Sequence, residues 1–196
     1  MSFTQIIDGT GSKKSVKVTD KFKLTTEATS ITNIEAIARE DEESYVLSSG
    51  FVSLTTTGSF NGIMFIKGLD ANTRFHIDRI RICGNGANGN LQVKVIANAT
   101  AGTLISDANA GYSHNTVLGS SNELTGLYSI FAASGDGKTV TDGAWFAQYQ
   151  QPSLGHSNQD YNGSIIIDKN TSFAVVAKPS VSCDICVEIL GYKETI

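Results

Sequence analysis

Beyond residue 50, apolar residues recur at every second position in short runs, and each run is closed by glycine, asparagine, aspartate or serine. A period of two matches a β-strand, whose successive side chains point to opposite faces, and does not match a helix. The clearest run is 91–98 (LQVKVIAN), with Leu91, Val93, Val95 and Ala97 on one face. Residues 181–192 follow the same rule, with Val181, Cys183, Ile185, Val187 and Ile189 on the face expected to be buried. Runs at 51–57 (FVSLTTT), 62–67 (GIMFIK), 73–83 (TRFHIDRIRIC), 165–167 and 171–178 complete the set. Short strands divided by turn signals specify an all-β fold, here an antiparallel, jelly-roll-like β-sandwich. Asn61-Gly62, Asn85-Gly86, Asn88-Gly89, Asp136-Gly137 and Asn162-Gly163 accept positive φ and read as tight reversals. Pro152 and Pro179, the only prolines, read as loop positions.

One run breaks phase. Phe75 and Ile77 are odd-numbered, whereas Ile80 and Ile82 are even. A strand that buries both pairs must change phase between them, so a β-bulge or sharp bend is expected near Asp78-Arg79.

The alternation divides the chain into a sandwich domain, 50–196, and an N-terminal arm, 1–49. Within the domain, residues 99–162 are rich in Gly, Asn, Ser and Ala and read as long loops, with a strand near 144–150. Loops of that length carry interactions more often than packing. The arm spaces Val16, Val18, Phe22 and Leu24 with polar residues and reads as extended, with a short helix expected at 31–39. Its charge is asymmetric. Lys13, Lys14, Lys17, Lys21 and Lys23 face only Asp8 and Asp20, and then Glu27, Glu35, Glu40, Asp41, Glu42 and Glu43 face only Arg39. Such blocks suit a tail that interacts with a partner, or two solvated stretches kept soluble by their charge.

Composition narrows the function. A net charge of −4 argues against nucleic-acid binding carried by bulk charge. No run of apolar residues is long enough to span a membrane. Residues 1–8 lack the charged start and apolar run of a signal peptide, so synthesis in a cytoplasm is expected. Cys83, Cys183 and Cys186 are odd in number and widely spaced, which reads as reduced thiols rather than a disulfide framework.

The motifs that resemble chemistry do not survive their context. Gly84-Asn-Gly86-Ala-Asn-Gly89 spells G-x-G-x-x-G, but an alternating strand follows it where a dinucleotide site needs a helix, so it reads as a hairpin loop. Residues 134–139 (SGDGKT) end like a phosphate-binding loop, but Ala132 stands where its first glycine belongs. Cys183-x-x-Cys186 on a strand sends its thiols to opposite faces, and Cys83 stands apart, so Cys183 reads as a small core residue. His76, His114 and His156 form no metal-spaced unit, and the four consecutive acids at 40–43 lack the spacing of a calcium loop. No catalytic, cofactor-binding or metal-ligating residue is singled out, and no cofactor is expected.

Two blocks together carry a resemblance. The first is 8–20 (DGTGSKKSVKVTD), a glycine entry followed by an alternating strand; the second joins 45–57 (YVLSSGFVSLTTT), 62–67 and 75–82 (FHIDRIRI). This pattern resembles tailed-bacteriophage virion structural proteins of the capsid decoration or cement type. The resemblance implies a β-sandwich, often trimeric, whose arm lies on neighbouring subunits, with no enzymatic activity. It further implies the virion as location, the major capsid protein or other virion proteins as partners, and neither specific nucleic acid nor membrane. A tail or fibre protein binding receptor or carbohydrate through Trp145, Tyr149 and Tyr161 is the first rival, and a small β-sandwich hydrolase the second.

Overall fold

The computed structural model describes residues 43–55, 58–101, 112–116, 118–122, 124, 127–131 and 139–196. The arm's glycine entry, its lysine-rich run, the helix expected at 31–39 and the SGDG segment lie outside the described residues. The described residues form twelve strands, ten of which build an all-β sandwich. They are β1 (Ser44–Leu54), β2 (Asn61–Gly68), β3 (Thr73–Gly86), β4 (Asn90–Ala97), β5 (Thr100–Ala101) and β6 (Tyr112–Asn115). β7 (Leu127–Phe131), β8 (Val140–Thr141), β9 (Ala144–Pro152), β10 (Gly155–Ile167), β11 (Ser172–Pro179) and β12 (Cys183–Thr195) follow.

The first sheet runs β10-β3-β12-β1-β6 and the second β7-β2-β11-β4-β9. The long strands alternate between the sheets along the chain except at β4 and β9, which follow one another and pair in the second sheet, so β1-β12-β3-β10 faces β2-β11-β4-β9. That interleaving is the jelly roll. β6 and β7 extend one side, and β5 and β8 pair as a small separate ribbon. The inward faces meet in one core that includes Leu47, Val52, Ile77, Ile80, Ile82, Ile185, Val187 and Ile189 from the first sheet. The second sheet contributes Ile66, Leu91, Val93, Val95, Phe173, Val175 and Ala177. Each such Val, Leu, Ile or Phe side chain contributes about 1.5–3 kcal/mol by leaving water.

The expected bulge is present. Leu190 pairs with Arg79 and Gly191 with Ile77, leaving Asp78 as the extra residue. Phe75, Ile77, Ile80 and Ile82 are all buried as a result. On the other flank Asp160 pairs with Arg79 and Ile165 with Ile77, so β10 loops out residues 161–164 at the same level. Asn162 and Gly163 take positive φ (50° and 72°) in that bulge. The dipeptide therefore has the conformation read from it, but inside a strand rather than at a reversal.

Other expectations are corrected. The sandwich includes residues 44–49, placed in the arm, because Tyr45 and Leu47 already point inward. A register shift at Ser48/Phe51 then restores the phase for Val52 and Leu54, and it hid this continuity. Residues 151–162 are strand except for the turn at 153–154. β9 runs through Gln151 to Pro152 and β10 begins at Gly155. The inward positions of β10 are Ser157, Gln159, Tyr161 and Gly163, so an alternation of burial exists without an alternation of hydrophobicity. The prolines close β9 and β11, at strand ends that tolerate a missing donor. Asn61-Gly62 opens β2. The segment after Gly86 is a short connection, as expected of a non-nucleotide loop, but it passes between sheets and is not a hairpin.

The entry of the chain is tied down by Tyr45, whose hydroxyl donates to Glu43 Oε2 at 2.8 Å. Burial and the adjacent Glu43 carboxylate raise the Tyr45 phenol above its ordinary value. The unfolded chain therefore releases this proton near pH 10 while the folded chain keeps it. Folding stability is expected to fall as pH rises past about 10. Urea titrations between pH 8 and 11 check this, and Tyr45→Phe is expected to flatten the alkaline decline.

Candidate interaction surface

Among the described residues, the jelly roll leaves β9 and β10 at neighbouring edges of opposite sheets, and each pairs there on one side only. A free strand edge exposes unpaired backbone donors and acceptors, and natural proteins guard it with charge. Here the guard is thin. Across residues 144–167 the sequence holds Asp160 as its only carboxylate and no lysine or arginine. Asp160 is itself engaged by Arg79. Among the described residues eight large apolar side chains are exposed, and half of them fall here: Trp145, Phe146, Leu154 and Ile166.

The gap between the two edges is lined by a mixture of aromatic and polar groups. Register places Gln151, Tyr149 and Ala147 opposite the inward Leu91, Val93 and Val95. Phe146 is the extra residue of a further bulge, at Val95/Ile96, and packs against Tyr161 (6.5 Å) and Phe173 (6.2 Å). Ser157 donates to Gln151 Oε1. Gln151 Nε2 and the Tyr161 hydroxyl are buried with no hydrogen-bond partner among the described residues, a state that favours closure by water or by another chain. Burial pushes the Tyr149 phenol up.

The aromatic residues considered for sugar stacking are thus on strands, not loops. Tyr149 and Tyr161 turn into the gap, whereas Trp145 sits opposite Ile96 and lies 60% exposed. They do not form one platform. The histidines also separate. His76 is buried on β3, within 3.2 Å of Gly163 O and 2.8 Å of Glu194 Oε2, and stacks on Tyr192 at 4.7 Å. It fastens the β10 bulge to β12. His156 is exposed on β10, across from Cys83, and His114 lies on β6 rather than in a loop.

Cys183 is a core residue, as its spacing implies, and Cys186 faces the other way. Cys83 does not stand apart: it lies directly across from Cys186 on the neighbouring strand. Burial raises all three thiols above their ordinary value. Alkylation by iodoacetamide at pH 7.5 is expected to reach the half-buried Cys83 first and more slowly than free cysteine, because the thiolate is the reacting form. Peptide mass mapping over time checks the order.

The edge is the feature that reading by hydrophobic period missed. Its signal was present as a 24-residue window, 144–167, nearly free of charge and rich in Gln, Asn, Ser and Tyr. No protein-family model matches the chain, and comparison with curated proteins and with solved structures returned no match.

Proposed function

We propose that the chain is a non-enzymatic virion structural protein that decorates or cements a tailed-phage capsid through its arm and sandwich edges. The observation that carries this reading is the nearly uncharged double edge of β9 and β10 with its exposed Trp145, Phe146, Leu154 and Ile166. Edges of this kind take an added strand or pack against an apolar patch on a partner. The jelly roll supports the reading as an architecture that recurs in capsid proteins. So does the arm, whose lysine-rich 13–23 supplies a basic strand-like segment. The protein acts as a closed symmetric oligomer, a trimer, on the major capsid protein.

Co-sedimentation with shells assembled from tailed-phage major capsid protein tests the reading. Deleting residues 1–24 is expected to weaken binding, and unchanged binding would remove the arm from the account. One observation favours a tail or fibre role instead: Trp145 is exposed and has the Lys94 ammonium 5.2 Å from its ring. A glycan array with hits lost in Trp145→Ala would support that alternative.

A further inference from the structure

Two of the three thiols meet across the centre of the first sheet. Cys83 on β3 and Cys186 on β12 are partners in the ladder. Their sequence neighbours Ile82, Ile185 and Val187 point into the core, so both thiols stand on the outer face of that sheet. The Val187 amide donates to Ser49 Oγ at 2.9 Å, on the β1 side of β12. Amides alternate in direction along a strand, so Cys186 turns its own towards β3. The pair is therefore in the hydrogen-bonded register, which sets its Cα atoms about 5.5 Å apart. Disulfides most often join residues whose Cα atoms are about 5.5–6 Å apart. Cys183 is no rival partner, because it lies in the core on the opposite face. Cys83 is half-buried and Cys186 buried, so a reagent in solution meets Cys83 first. Ser48 Oγ lies 3.7 Å from Cys186 Sγ, within reach to donate to a thiolate there. Among the described residues no further ligating side chain joins the two thiols in a group that could hold a metal ion.

We propose that Cys83 and Cys186 are a redox pair, which closes to a cross-strand disulfide when the folded protein meets oxidised glutathione. The Cys83 thiolate attacks one sulfur of the glutathione disulfide. That S–S bond breaks, a mixed disulfide forms on Cys83, and one glutathione leaves as a thiolate. The Cys186 thiolate then attacks the Cys83 sulfur, and the second glutathione leaves. Two protein thiols are oxidised, two glutathione sulfurs are reduced, and the two protons given up by the protein end on the departing glutathiones. Reduced glutathione in a cytoplasm holds such a pair open, and oxidising surroundings close it. The bond ties β3 to β12, the central pair of the first sheet. It closes a loop of about 100 residues, which restrains the unfolded chain and raises resistance to unfolding. The inference does not depend on capsid binding.

Incubation of the folded full chain with oxidised glutathione, then acid quench, unfolding, alkylation and peptide mapping, tests it. Free thiols per chain are expected to fall from three to one. One peptide pair is expected to be joined through Cys83 and Cys186, with Cys183 alkylated. In Cys186→Ser the reaction is expected to stop with glutathione on Cys83, whereas Cys183→Ser is expected to leave the disulfide unchanged. Retention of all three thiols, glutathione left on Cys83 of the wild-type chain, or a link made through Cys183 overturns the proposal. So does a link between copies, seen as a dimer on a gel run without reductant.

Discussion

Replacing Gly191 with valine is expected to destabilise the sandwich by about 3 kcal/mol or more, the largest single-residue effect foreseen here. Gly191 lies in β12 opposite Ile77, beside the Asp78 bulge that resets the burial phase of β3. A Cβ at this position would collide with the His76 carbonyl oxygen and lie 2.6 Å from Phe75 Cζ. The carbonyl belongs to backbone, and the Phe75 ring is fully buried, so neither can yield cheaply. Moving them would displace β3 from β12, the central pair of the first sheet. At this size the loss corresponds to a fall in melting temperature on the order of 10 °C. Thermal unfolding followed by circular dichroism measures it, and Gly191→Ala is expected to fall between wild type and valine.

The second large effect concerns assembly. The double substitution Leu154→Glu, Ile166→Glu is expected to reduce capsid-shell binding by at least about tenfold while changing stability by less than about 0.5 kcal/mol. Both side chains are more than 45% exposed, at 57% and 47%, so the fold gains little from them. They sit in the window whose only carboxylate is Asp160. Two added charges would have to be desolvated in any apolar contact, and edge strands exclude partners by this device. Titration by co-sedimentation gives the affinity, and urea unfolding gives the stability control.

The jelly roll was largely legible because its central strands obey the pleat. Leu91, Val93 and Val95, and Cys183 through Ile189, announce their inward faces by hydrophobicity alone. The bulge at Asp78 was legible for the same reason, since a phase slip within an apolar strand has few other resolutions. The edges were not legible. In β10 the inward positions are Ser157, Gln159, Tyr161 and Gly163, and a pattern of burial written in polar residues leaves no hydrophobic period. The start of β1 was obscured by the irregularity at Ser48–Phe51, which cuts one strand into two unequal runs. The pairing of Cys83 with Cys186 depends on which strands are neighbours, and sequence spacing carries no such information.

Binding of the full chain to purified capsid shells tests most directly whether the sandwich is an assembly module. Analytical ultracentrifugation of shells titrated with the protein is expected to show saturable binding at a fixed number of copies per shell, abolished by Leu154→Glu, Ile166→Glu. Shells that sediment unchanged at saturating protein would contradict it.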